Sequence, residues 1–198
     1  ETLEAPFCAL IVSGGHTSLY EVGCPTSFVE IGGTRDDAAG EAFDKVGRVM
    51  GLPYPGGAAL DRLAYEGDPK AIKLPSPALS GDTLDFSFSG LKTAALNYIN
   101  SKKQLGEEIP RADLAASYTA AIVEGVAAKA DAALQRTGQK ALVLAGGVAA
   151  NSHLRSRLEA VCRARGAALC TPPPSLCGDN GAMVAAAGYF EFLKGNFA

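Results

Sequence analysis

Histidine is nearly missing from this chain, with two in 198 residues, and the five cysteines are odd in number and contain no C-x-x-C pair. So few imidazoles cannot build a His-rich metal site. Cys8, Cys24, Cys162, Cys170 and Cys177 are irregularly spaced, which argues against a secreted disulfide framework and for reduced, buried thiols, with a metal cluster of the last three as the alternative. No apolar run approaches the roughly 20 residues that span a bilayer, and no charged-then-apolar leader opens the chain. The expectation is a cytoplasmic protein with no membrane contact. Excess positive charge is missing too: the net charge is -3 at pH 7, so binding nucleic acid would need a local basic patch or a partner. Position 1 is Glu rather than Met, and an apolar strand follows almost at once, which points to a piece of a longer protein.

What is present is an ordinary globular composition, 47% hydrophobic and 20% charged, able to fold into a packed domain. Strands are expected at Phe7 to Ser13, Thr17 to Val22 and Phe28 to Gly32, an antiparallel meander. A helix follows, with Thr34 or Asp36 as its cap and Ala39, Ala42, Phe43, Val46, Val49 and Met50 on one face. From Leu52 to Pro110 the pattern loosens into PYPGG, a helical stretch near Ala58 to Tyr65, a Pro-rich passage, and DFSFSGLKTAALNYIN, a helix capped by Ser89. A long Ala-rich helix ends on Gly138, KALVLAGG is a strand, ANSHLRSRLEAVCRARG is a helix closed by Gly166, and a short strand and a last helix complete the chain. This order matches an α/β fold: a mixed five-stranded sheet flanked by helices, the ribonuclease-H-like half-domain of actin-like ATPases. Residues 1–51 and 111–198 are expected to form that lobe, with 52–110 as an inserted, mainly helical subdomain.

Two apolar strands, ALIVSGG and ALVLAGG, end in the same double glycine. A turn at Gly14-Gly15 presents backbone N–H groups with no Cβ in the way of a phosphate oxygen, and Ser13 and Thr17 add hydroxyls; a hairpin that needs positive φ explains the same residues. At the second corner Asn151 offers an amide to a ribose or base, or simply caps the helix. Gly40, Asp44, Gly47 and Gly51 lie on one helical stripe, so a carboxylate stands between bare glycines against a second helix or a ligand. Gly57 and Asp61 follow a further glycine corner, and Asp179 in SLCGDNGAM can cap a helix or ligate a divalent metal. His16 reads as a turn residue and His153 as part of a solvated helix. Lys92, Arg155, Arg157, Arg163 and Arg165 are candidate phosphate contacts or a solvated charged face.

The motifs LIVSGGHTS, DDAAGEAFDKVGR, YPGGAALD, FSFSGLKTA, LAGGVAANSHLR and CGDNGAM, in this order, resemble the tRNA N6-adenosine threonylcarbamoyltransferase family across essentially the whole chain. The resemblance implies transfer of threonylcarbamoyl from threonylcarbamoyl-AMP to N6 of the adenosine 3′ of the anticodon, in tRNAs reading codons that begin with A. It implies that Ile11, Val12, Ser13, Gly14 and Gly15 cradle the phosphate and carbonyl region, and that Asp44, Gly57, Asp61 and Asn151 bind the nucleoside. Asp179 would be one ligand of a single divalent metal, iron or zinc. The family's N-terminal lobe, whose H-x-x-x-H helix supplies further ligands, has no counterpart here. The chain is therefore expected to be a C-terminal lobe with an incomplete metal site, inactive alone. Implied partners are tRNA, a paralogous actin-fold protein and a small ATPase of a bacterial-type modification complex.

Two other readings remain: a sugar-kinase-like ATPase of the same fold, for which the expected catalytic acid motif is not seen, and a non-catalytic partner lobe of the same complex. The protease activity once ascribed to this family has no nucleophile triad or H-E-x-x-H to rest on here.

Overall fold

A computed structural model describes residues 3–196. The first three strands, β1 (Phe7–Val12), β2 (Thr17–Cys24) and β3 (Ser27–Gly33), form the antiparallel meander. Two more, β4 (Ala141–Ala145) and β5 (Ala168–Cys170), run parallel to β1 and extend the sheet in the order β3-β2-β1-β4-β5. This is the mixed five-stranded sheet of the ribonuclease-H-like, actin-like ATPase fold. β1 is central, so Cys8, Ala9, Leu10 and Val12 are all buried, as an apolar strand covered on both faces requires.

The described residues form six α-helices: α1 (Ala39–Val49), α2 (Gly56–Leu63), α3 (Ser89–Gln104), α4 (Arg111–Thr137), α5 (Ser152–Arg165) and α6 (Gly181–Leu193). α4 is 27 residues long. Its buried alanines, among them Ala115, Ala127, Ala130 and Ala133, let its backbone come close to its neighbours. Its Tyr118 packs edge-on against Phe43 and donates its hydroxyl to the Ala42 carbonyl at 3.1 Å. Full burial of a side chain the size of Phe43 contributes about 1.5–3 kcal/mol, so this α1–α4 contact is a main support of the helix that carries Asp44. Leu60, Leu84, Phe86, Phe88, Leu91 and Ile99, all from the segment 52–110, join the same hydrophobic cluster as the sheet. α4 and α5 both stop at left-handed glycines, Gly138 and Gly166.

Local details differ from the sequence expectation where distant residues supply the hydrogen bonds. Neither Thr34 nor Asp36 caps α1; the first free N–H, that of Ala39, is taken by the Thr17 hydroxyl at 3.0 Å. Asp36 instead caps α3, accepting from the N–H groups of Phe88 (2.8 Å) and Ser89 (3.2 Å). Ser89 is thus the first residue of α3 rather than its cap, and its hydroxyl also bonds Asp36. Val49 is 38% exposed and leaves the buried face expected of it, while Val46 and Met50 stay in the core. At α6 the cap is Asn180, which accepts from Met183 N–H at 3.0 Å, so Asp179 is left as an exposed loop carboxylate. α6 has no buried residue along its length.

Candidate functional site

The two double-glycine corners lie side by side because β1 and β4 are neighbours. Ser13 N–H closes the first turn on the His16 carbonyl at 2.7 Å, and the Ser13 hydroxyl accepts from Gly15 and His16 N–H. The backbone at Gly14 and Gly15 is not left-handed, so positive φ does not account for these glycines. A Cβ on either would meet nothing within 4 Å. The second corner divides its labour. Gly146 has φ of 96°, and a Cβ there would stand 2.4 Å from the Val12 carbonyl oxygen, so both conformation and packing demand glycine. Gly147 needs neither, and the space beside it is open.

The glycine stripe on α1 is explained by packing. A Cβ on Gly40 would lie 2.6 Å from Ser13 O, and one on Gly47 would lie 2.9 Å from the Gly56 Cα. Gly40 therefore seats α1 on the first turn, Gly47 admits α2, and Gly51 ends the helix at φ of 70°. Held between the two contacts, Asp44 accepts the Gly57 N–H at 3.3 Å.

A cleft of about 420 Å³ opens between these corners, and Gly14, Asp44, Gly57, Asp61 and Asn151 all line it. These come from the β1–β2 turn, α1, α2 and the entry to α5. Asp61 is oriented by the start of α5: its carboxylate accepts from Ser152 N–H at 3.1 Å and from the Ser152 hydroxyl at 2.9 Å. Asn151 is 7% exposed, and its Oδ1 caps α5 by accepting Leu154 N–H at 2.8 Å. The cap consumes the oxygen, so the cap reading of Asn151 is the one seen, and the amide nitrogen has no hydrogen-bond partner among the described residues.

Ile11, Val12, Ser13 and Gly15 are not among the lining residues. Val12 is a fully buried core residue, and the Ser13 hydroxyl is spent inside its own turn. A second hollow, of about 490 Å³, lies over Gly32, Gly33 and Leu84 on the sheet edge, where Arg35–Asp85 and Arg136–Asp82 ion pairs occupy its charged groups.

The profile of the tRNA N6-adenosine threonylcarbamoyltransferase family matches residues 1–186. The chain belongs to this family. It is 49% identical over 196 residues to the tRNA N6-adenosine threonylcarbamoyltransferase of Moorella thermoacetica, covering 99% of this chain and 57% of that protein. It is 53% identical over 193 residues to the enzyme of the same name from Geotalea daltonii, covering 98% and 56%. This member of the family thus spans somewhat over half the length of those relatives. Among solved structures, full-length HypF in its phosphate- and nucleotide-bound form superposes with a TM-score of 0.68 at 15% identity, over 96% of this chain and 34% of that one. The activator of 2-hydroxyisocaproyl-CoA dehydratase from Clostridium difficile, with bound ADPNP, gives 0.53 at 16%, over 99% and 65%. At such identities the likeness concerns the fold.

The family member's cleft has walls that sequence reasoning missed: Tyr54, Arg62 and Val148. Tyr54 is 83% exposed, and its position before the PGG corner was the available signal. The candidate phosphate contacts are mostly engaged elsewhere. Lys92 is ion-paired with Asp37, Arg157 with Glu124 and Arg165 with Asp131, while Arg155 bonds carbonyls of two loops. His153 stacks on Tyr65 and bonds the Asp61 carbonyl at 3.2 Å, so it is a packed residue rather than a solvated one.

The family resemblance implies iron or zinc, but the residues present do not compose a site for it. Asp179 stands exposed, and among the described residues no group of three or more His, Cys, Asp or Glu side chains could hold a metal ion. The last three cysteines form no such cluster either. Burial, and then the neighbouring Cys170, pushes the Cys162 thiol up to about 11, which keeps it protonated. No helix among the described residues is long and apolar enough to cross a membrane.

Proposed function

We propose that this cleft binds the adenylate of threonylcarbamoyl-AMP, and that the protein transfers the threonylcarbamoyl group to N6 of the adenosine 3′ of the anticodon in tRNAs reading codons that begin with A. The observation that carries the reading is the pair of glycines, Gly14 and Gly147, that face one cleft and are required by neither backbone conformation nor packing. Glycine on an open face admits a ligand to the main chain. The HypF structure and the dehydratase activator, of the same fold, are described with bound nucleotide.

In this reading Asp44 and Asp61 accept ribose hydroxyls, and the Asn151 amide nitrogen donates to the nucleoside. Tyr54 and Val148 supply apolar walls for the base. Bare N–H groups at the glycine corners stabilise charge on the departing phosphate. The adenosine amine attacks the carbamoyl carbon, the bond from that carbon to the phosphate oxygen breaks, AMP leaves, and the amine gives up its proton. That amine is a weak nucleophile, so holding it against the carbonyl carries much of the acceleration.

The metal, iron or zinc, would need ligands that the described residues do not assemble. The 198-residue chain is accordingly proposed to bind nucleotide but not to turn over alone. Its proposed setting is the cytoplasm, with tRNA, a paralogous actin-fold protein and a small ATPase as partners.

Calorimetric titration of the chain with AMP tests the cleft. Saturable binding is expected, weakened about tenfold by Asp61→Ala through loss of one charged hydrogen-bond acceptor. Absence of saturable AMP binding overturns the reading.

A further inference from the structure

Four arginines lie on α5, Arg155, Arg157, Arg163 and Arg165, and Arg155 joins two separate parts of the molecule. Arg157 and Arg165 each face a carboxylate, Glu124 and Asp131. Arg155 has no acidic partner among the described residues. Its Nε donates to the Ala149 carbonyl, one terminal nitrogen to the Thr171 hydroxyl at 3.3 Å, and the other to the Pro172 carbonyl at 3.1 Å and to Cys177 Sγ at 3.3 Å. A guanidinium fixes the directions of its donors in one plane, so these acceptors are held in register with each other.

The two ends of this fork belong to different parts of the molecule. Ala149 is fully buried in the single turn Gly147–Ala150, whose Gly147, Val148 and Ala150 line the cleft with Asn151. Thr171, Pro172 and Cys177 belong to the segment between β5 and α6, which also carries Asp179. Residues 172–174 are all proline, lack N–H groups and cannot extend the sheet. The backbone bonds that Leu176 and Cys177 donate close only a local turn. Among the described residues, every side-chain hydrogen bond that ties 171–180 to an element other than α6, which Asn180 caps, comes from Arg155.

We propose that Arg155 is a positioning residue that couples the cleft corner at 147–151 to the segment 171–180, so that a nucleotide seated on the corner sets the placement of Asp179. The nucleotide half of this statement rests on the reading of the cleft given above; the mechanical half does not. Coupling of this kind is reciprocal: whatever holds one end affects the free energy of the other.

Amide hydrogen exchange of peptide 171–180 tests it in the 198-residue chain, comparing Arg155 with Arg155→Lys and Arg155→Met. In one arm saturating AMP is expected to slow exchange of that peptide about fivefold or more with Arg155, and not in either variant. Equal slowing in the variants overturns the proposal, as does no slowing in a wild-type chain that binds AMP. Full slowing with lysine also overturns it, because a point charge lacks the fork. The second arm uses no nucleotide: Asn151→Ala loosens the corner by removing its cap. It is expected to speed exchange of 171–180 with Arg155 and to have no further effect with Arg155→Met. The same increment in both backgrounds, or no increment in either, overturns the proposal. If AMP fails to bind wild type, the cleft reading falls and this second arm decides the role of Arg155.

Discussion

Asp61, on α2, receives both the backbone N–H and the hydroxyl of Ser152, the first residue of α5, on its carboxylate at 3.1 and 2.9 Å. A helix N-terminus has unsatisfied N–H groups and favours negative charge, so Asp61 is bound to α5 while it faces the cleft. Ser152→Ala removes the hydroxyl and keeps the N–H. It is expected to cost about 1 kcal/mol in denaturant unfolding and to weaken AMP less than Asp61→Ala does. Equal losses of AMP affinity in the two variants would show that Ser152, not the carboxylate, contacts the ligand.

The glycines separate into those the fold needs and those the ligand needs. Gly40→Ala places a Cβ 2.6 Å from Ser13 O, against backbone, and is expected to cost about 1–3 kcal/mol as overpacking. Gly146→Ala adds left-handed strain, with φ of 96°, and is expected to cost more. Gly147→Ala meets nothing and should leave stability within about 0.5 kcal/mol while AMP affinity falls. Thermal unfolding and calorimetry on the three variants check the division; a Gly147→Ala chain with unchanged AMP affinity contradicts it.

Acid should loosen the junction of the β3–α1 loop with residues 83–92. Burial raises the carboxyls of Asp36 and Asp85, but hydrogen bonds from Ser87, Ser89 and Phe88 to the first, and from Gly33, Thr83 and Arg35 to the second, outweigh it and hold both below their ordinary 3.8. The Lys92 ammonium holds Asp37 below it as well. A folded-state value depressed below the unfolded one stabilises at full strength above about pH 4, and that share is lost as pH falls through the folded value. The denaturation midpoint is expected to fall below about pH 4, and Asp36→Asn should flatten that fall. A wild-type profile and an Asp36→Asn profile that run parallel through this range would refute the assignment.

Cysteine reactivity should follow environment. Hydrogen bonds from the Thr26 backbone and hydroxyl lower the Cys24 thiol, while burial raises Cys8 and Cys162. Thiolate is the reactive form, so iodoacetamide is expected to label Cys24 ahead of those two, as read by peptide mass spectrometry. Cys162 labelled first would contradict the described packing.

Much of this was legible from residues alone. Apolar runs bounded by turn residues marked β1 to β4, the Ala-rich stretch marked α4, and Gly138 and Gly166 marked helix ends, because each reflects a local backbone preference. The cleft residues Asp44, Gly57, Asp61 and Asn151 stood out by their motifs. What the chain's order could not reveal was which partner each polar group finds. Asp36 caps α3 some fifty positions away rather than α1, Thr17 closes α1 from the hairpin, and Lys92 is paired with Asp37 instead of free for phosphate. The twin double glycines differ for the same reason. The parallel pairing of β4 beside β1 presses Gly146 against Val12 and leaves Gly14 and Gly147 open across one cleft. Local periodicity determined the elements; the juxtaposition of distant backbone and side chains, which only the packed sheet brings about, decided the cleft and its supports.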